Sequence, residues 1–158
     1  MEKPKMVSVR AAQQDDSQAI LQLIDALADY EKLERPDDQA KARLLRDAFA
    51  ENPRFNILLA QTGEGAVVGY AFILEHYSTF LALPTLYLED LFVLPEARST
   101  GAGSALFQAV KDEARQRGCG RVEFVVLDWN QLARDFYHRK GGKHLQDWCF
   151  YRVDAEDF

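Results

Sequence analysis

Residues Leu86 to Leu94 read LYLEDLFVL, an apolar run with two adjacent carboxylates at its centre. The run follows Pro84 and has the composition of a long strand. Adjacent residues of a strand point to opposite faces. At least one of Glu89 and Asp90 should therefore face the core, unless a bulge or a cleft interrupts the sheet there. Two readings follow from the residues alone. One carboxylate can face solvent while the other pairs with an arginine, or a bulge can re-aim the pair at a site.

The segments around this strand alternate in period. Val7 to Arg10 reads as a short strand, and Asp15, Asp16 and Ser17 supply capping chemistry for a helix whose Ile20, Leu23, Ile24 and Leu27 share one face. A second helix spans about Gln39 to Phe49 and stops near Asn52-Pro53, because proline disfavours helical geometry in the residue before it. Phe55 to Gln61 and Val67 to Glu75, separated by Gly63-Glu64-Gly65, have the arrangement of a hairpin. A helix from about Gly103 to Arg117 places Leu106, Phe107, Val110 and Ala114 at helical spacing and stops at Gly118. RVEFVVL, from Arg121 to Leu127, reads as a buried strand. Gln131 to Lys140 reads as a short helix ended by Gly141-Gly142, and Leu145 to Val153 as a last strand. This order describes an α/β (α+β) fold, a mixed sheet with helices on both faces.

The 158 residues, 47% hydrophobic and 28% charged, contain no linker or internal repeat and read as a single domain, 1–158. A chain of about 150 residues buries roughly two-thirds of its unfolded surface and needs no disulfide or metal staple. Cys119 and Cys149 lack CxxC spacing and read as buried thiols; His76, His138 and His144 fall in no metal-ligand pattern, so no metal is expected. With 19 Lys plus Arg against 25 Asp plus Glu, the net charge is -6. That argues against a nucleic-acid partner and suits a cationic small molecule. No apolar stretch approaches the roughly 18 residues of a membrane span, and the N-terminal segment lacks the apolar core of a signal peptide. No membrane association is expected, and the expected location is cytoplasmic.

Arg98-Ser99-Thr100-Gly101-Ala102-Gly103-Ser104 leads straight into a helix, which is an anion-binding layout. Glycines admit a ligand close to the backbone, and the amides at a helix N-terminus favour phosphate. The third glycine of a dinucleotide fingerprint is missing, since Leu106 stands there. On spacing alone, a plain turn feeding a helix explains the loop equally well.

Strand, Arg98 with Gly101 and Gly103, helix, strand, Asn130 and Tyr137 together resemble the acetyl-CoA core of the GNAT superfamily of N-acetyltransferases. LADYE (Leu27 to Glu31), LYLEDLFV (Leu86 to Val93), FVVLDWN (Phe124 to Asn130) and DFYHRKGG (Asp135 to Gly142) resemble its spermidine/spermine branch, which includes diamine and thialysine acetyltransferases. The resemblance covers nearly the whole chain and implies a mostly antiparallel central sheet and a homodimer. It assigns acetyl-CoA to the backbone of Leu91, Phe92 and Val93, to the loop Arg98, Ser99, Thr100, Gly101, Ala102, Gly103 and Ser104, and to Asn130, Gln131, Leu132, Ala133 and Tyr137. It assigns a small cationic amine to Tyr30, Glu31, Glu89, Asp90, Glu123, Phe124 and Val125, closed off by Trp148. Where the family carries an acidic contact two residues before the tryptophan, this chain has Gln146, with Asp147 beside it.

The roles implied are Glu89 as proton acceptor and Tyr137 as hydrogen-bond donor to the leaving thiolate. A carboxylate held in a partly apolar strand can have a raised pKa and still bind a cation. Two alternatives stay open from sequence: an acetyltransferase of proteins or peptides, and a non-catalytic acyl-CoA-binding module. Retention of both Glu89 and Tyr137 argues against the module.

Overall fold

The computed structural model describes residues 6–158. They form two compact units, the first ending at Val125 and the second spanning Val126–Phe158. The first unit holds the sheet. β1 (Val7–Ala11), β2 (Asn56–Thr62), β3 (Val67–Ser78), β4 (Leu83–Val93) and β5 (Arg121–Phe124) lie side by side in sequence order. The first four pair antiparallel, and only β4 and β5 are parallel. The mixed, mostly antiparallel sheet expected from the sequence is therefore present.

Helix α1 (Ser17–Glu31) lies on one face of this sheet. Its Ile20 and Leu23 pack with Ile57, Leu59, Tyr70 and Phe92, all nearly inaccessible to solvent. Asp16 acts just before that helix: its carboxylate accepts from the Gln13 amide at 2.7 Å and pairs with Arg10 of β1 at 2.8 Å. The acid thus ties the helix entry to the sheet edge. α2 (Asp38–Ala48) starts on an Asp37 cap, whose side chain accepts from the Ala40 amide at 2.8 Å.

Helix α3 (Ala102–Gln116) covers the opposite face with Leu106, Phe107, Val110 and Ala114. Gly69 of β3 permits this close approach, because a Cβ there would stand 2.8 Å from the Phe92 carbonyl oxygen and 3.2 Å from the Leu106 side chain. At the far end of the helix, Arg117 reaches Asn56 at 2.8 Å and Glu113 at 2.9 Å. Gly118 then ends it in a left-handed conformation, φ +69°.

The second unit contains α4 (Gln131–Arg139), capped by Asn130, whose side chain accepts from the Ala133 amide at 3.1 Å. Three expectations are corrected in this part of the chain. The strand expected from Arg121 to Leu127 ends at Phe124 and is not fully buried. Among the described residues it pairs only with β4, so one side of its ladder has no partner strand there, and Val125 and Leu127 are exposed. The segment from Leu145 to Val153 forms no strand; Trp148, Phe150, Tyr151 and Val153 all stand in solvent. Its composition suits a strand, but a strand exists only with a partner ladder, and the described residues supply none. Cys149 in that segment is exposed rather than buried, and Cys119 is half-buried.

Candidate active site

The site begins with an irregularity in β4. Phe72 of β3 pairs with Asp90, but the next residue, Ile73, pairs with Leu88, so Glu89 has no partner and forms a bulge. Paired residues share a face and neighbours along β3 alternate, so Asp90 and Leu88 lie on opposite faces. Leu88, with its β5 partner Phe124, faces α3, where the Phe124 ring meets Phe107 edge-on at 5.9 Å. Asp90 lies instead on the α1 face with Phe92, Tyr70 and Phe72. The bulge proposed from the sequence as one way to place two adjacent carboxylates is the one the chain adopts.

The bulge separates the two acids by environment. Glu89 is exposed, whereas Asp90 is largely buried and accepts a hydrogen bond from the Tyr70 hydroxyl at 3.1 Å. Burial is the main cause that raises the Asp90 carboxyl to about 6; the Tyr70 bond opposes it, and the charges of Glu89 and Glu31 add to it. The expectation of a carboxylate pushed up by apolar surroundings was attached to Glu89, but the burial behind it falls on Asp90. Burial also raises Glu31, at the C-terminal end of α1. Tyr70 is held well above the ordinary phenol range by burial first and by the charges of Asp90, Glu31 and Glu89. Among the described residues, no lysine or arginine forms an ion pair with Glu31, Glu89 or Asp90.

β5 stops opposite Leu88, so β4 runs on through Glu89, Asp90, Leu91, Phe92 and Val93 with no β5 partner. An open edge of this kind offers backbone donors and acceptors to an extended ligand. Beyond it, Arg98 stacks over the Tyr30 ring at 4.8 Å and lies 5.9 Å from that of Phe92, and its Nε donates to the Val93 carbonyl at 3.4 Å. Tyr30 itself rests 6.1 Å from Phe92, centroid to centroid. The loop then bends through Ser99 and Gly101, with φ of +64° and +89°. Ser99 takes up a conformation that glycine adopts more readily. The Thr100 hydroxyl is spent on the Ala97 carbonyl at 2.6 Å, and no side chain caps the start of α3. The first amides of that helix, at Ala102, Gly103 and Ser104, are thus left for an anion.

Not every expected acceptor contact gathers at this face. Tyr30, Glu31 and Asp90 do. Phe124 faces α3, Val125 lies outside β5, and Glu123 pairs with Arg121 at 2.5 Å. Glu123 is nevertheless close enough to Tyr87 for its charge, with those of Glu89 and Asp90, to raise that phenol, although burial is the larger cause. Tyr70 was not anticipated: it lies in the apolar stretch VVGYAFIL, where nothing local marks it as polar in function.

In the second unit, Gln131 and Leu132 are exposed on the first turn of α4, and Tyr137 is half-buried in its last turn, edge-on to Phe136 at 5.2 Å. The two glycines that follow have distinct tasks. Gly141 turns the chain at φ +89°, and Gly142 donates to the Tyr137 carbonyl at 2.8 Å, where a Cβ would lie 2.9 Å from the same oxygen. Trp148 is 77% exposed, and Gln146 and Asp147 are exposed beside it.

Residues 19–142 match the model of the acetyltransferase (GNAT) family. The chain is 36% identical to thialysine N-epsilon-acetyltransferase of Sus scrofa over 160 aligned positions, covering 95% of this chain and 94% of that protein. It is 29% identical to spermidine/spermine N(1)-acetyltransferase-like protein 1 of Homo sapiens, covering 94% of this chain but 23% of that larger protein. Among solved structures, a possible acetyltransferase from Clostridium difficile superposes with a TM-score of 0.82 at 16% identity, over 96% of this chain and 99% of that one.

Proposed function

Because the chain belongs to the GNAT acetyltransferase family and is an N-acetyltransferase of amines, we propose that it transfers an acetyl group from acetyl-CoA to a primary amine of a small cation. Such an acceptor is a polyamine, a diamine or a thialysine-like molecule. The observation that carries this reading is the set of three carboxylates, Glu31, Glu89 and Asp90, without a basic partner among the described residues and beside the open edge of β4. An ammonium group is the missing counter-charge.

When bound, acetyl-CoA supplies the acetyl group as a thioester with a thiolate leaving group. The residues present fit it. The backbone of Leu91, Phe92 and Val93, paired with β3 but open on the side where β5 has ended, can receive the pantetheine arm as an added strand, and the loop Arg98 to Ser104, ending on uncapped amides, suits the pyrophosphate. Asn130 to Ala133 complete the assignment.

An alkylamine with a pKa of about 10.4 is almost wholly protonated at neutral pH, which amounts to an apparent barrier of about 4 to 5 kcal/mol. Asp90 and Glu31 hold the cation. Glu89, exposed on its bulge, accepts the proton directly or through water and returns it to solvent. Tyr137 donates a hydrogen bond to the sulfur as charge develops there; complete proton transfer from phenol to thiolate would be uphill by roughly 2 kcal/mol. Transfer is direct, in a ternary complex. Tyr30 flanks the acceptor beside these acids.

The same proposal takes residues 1–158 as one catalytic domain in the cytoplasm, acting as a homodimer. The family match runs across the boundary between the two units, and no helix among the described residues is long and apolar enough to cross a membrane. A partner subunit would cover the exposed apolar side chains between Leu145 and Val153.

The test is release of free thiol from acetyl-CoA with a panel of putrescine, spermidine, spermine, lysine analogues and basic peptides. Release with the small amines supports the reading. Release with peptides alone would assign a macromolecular acceptor, and release with none would remove the proposed acceptor class.

A further inference from the structure

We propose that Tyr70 is a positioning residue of the acceptor site, its hydroxyl fixing the orientation and the charge of the Asp90 carboxylate that grips the amine. The inference rests on the cationic acceptor proposed above and adds a residue to it. Tyr70 is fully buried among Ile20, Leu23, Ile57, Leu59 and Phe92, a setting that a phenylalanine would fill without needing a polar partner. Its hydroxyl nevertheless reaches Asp90 Oδ2 at 3.1 Å. Regular pairing sets up that contact: Tyr70 pairs with Phe92 and Phe72 with Asp90, so Tyr70, Phe92 and Asp90 share one face, while the bulge at Glu89 lets Leu88 return to the α3 face.

The groups around Asp90 make the hydroxyl consequential. Glu31 approaches from α1, Glu89 and Tyr87 lie on β4, and Tyr70 comes from β3, while Arg98 is engaged over Tyr30 and Phe92. Burial and both neighbouring carboxylates favour the neutral acid, and the Tyr70 bond is the influence that favours the ionised one. Without it Asp90 stays protonated to a higher pH and loses its aim at the ammonium.

Tyr70→Phe keeps the ring and removes the donor. The Asp90 carboxyl carbon, followed by NMR in the free protein, should titrate about one pH unit higher than in the parent. The acidic limb of kcat/KM for the amine should rise with it. At pH 7 the KM for the amine should increase about 5-fold or more, with kcat altered less than about 2-fold and the KM for acetyl-CoA unchanged. In an Asp90→Asn background the same substitution should leave the amine KM unaltered. An unchanged Asp90 titration and an unchanged acidic limb in Tyr70→Phe would make Tyr70 a packing residue and overturn the proposal, whatever the stability of the variant. If Tyr70→Phe does not fold, 3-fluorotyrosine at position 70 supplies a stronger donor of the same shape and should lower the Asp90 midpoint; no change would overturn the proposal equally. The titration needs no acceptor, so it can fail while the amine assay succeeds, and the reverse.

Discussion

Leu88 and Asp90, two residues apart on one strand, point to opposite faces of the sheet, because Glu89 between them pairs with nothing on β3. Upstream of that residue β4 supplies the α3 core, and downstream it supplies the site.

Deleting Glu89 should therefore be far more damaging than replacing it. The deletion restores simple alternation and turns either Asp90 into the α3 core or Leu86 and Leu88 out of it. We expect a loss of more than about 3 kcal/mol, whereas Glu89→Gln, at an exposed position, should stay within about 0.5 kcal/mol of the parent in urea unfolding. Glu89→Gln should lower turnover chiefly at low pH, where the amine is most protonated. Unchanged turnover across the pH range would remove Glu89 as the proton acceptor.

Asp90→Asn should trade function for stability. The Asp90 carboxyl is raised to about 6 in the folded protein, above its ordinary value of 3.8. Between those values the native state binds more protons than the unfolded one, so this group makes stability fall as pH rises from about 4 to 6. Asparagine keeps an acceptor for Tyr70 without the charge. The variant should be more stable than the parent at pH 8, by about 1 to 3 kcal/mol, with the gap closing at pH 4 and amine affinity reduced at pH 8. Thermal melts at the two pH values check it, and an equal gap at both would contradict it.

Tyr137→Phe should lower turnover with acetyl-CoA by about 10²-fold or more. Phenylalanine keeps the Tyr137 carbonyl that accepts from the Lys140 and Gly142 amides where α4 ends, and an unfolding curve beside the assay separates loss of turnover from loss of stability. A variant of parental stability that retains full turnover would place Tyr137 outside the chemistry.

Gly69→Ala should destabilise by about 1 to 3 kcal/mol, since the added methyl meets the Phe92 carbonyl oxygen at 2.8 Å and backbone cannot yield as a side-chain tip can. The midpoint of denaturant unfolding measures this. Gly101→Ala provides the contrast: nothing stands within 4 Å of its Cβ, so any loss there comes from the left-handed backbone at φ +89°.

The sequence by itself determined the helices, the hairpin and the long strand, because apolar period, caps, glycines and prolines act over a few residues. It also determined the family, through separate blocks such as LYLEDLFV and DFYHRKGG at compatible spacing. It overextended β5 and added a strand from Leu145 to Val153, because composition states what a segment can be and not whether a partner ladder stands beside it. Only the tertiary structure decided which carboxylate is buried. LYLEDLFVL holds two adjacent acids, and the choice between them depends on where β3 skips a residue, a pairing made between Phe72-Ile73 and the distant Leu88 to Asp90. That skip exposes Glu89 and lets Leu88 and Asp90 serve opposite faces, which leaves Asp90 against Tyr70 and Leu88 in the α3 core. Local pattern carries no record of such a juxtaposition, because it is fixed by the register of long-range backbone hydrogen bonds.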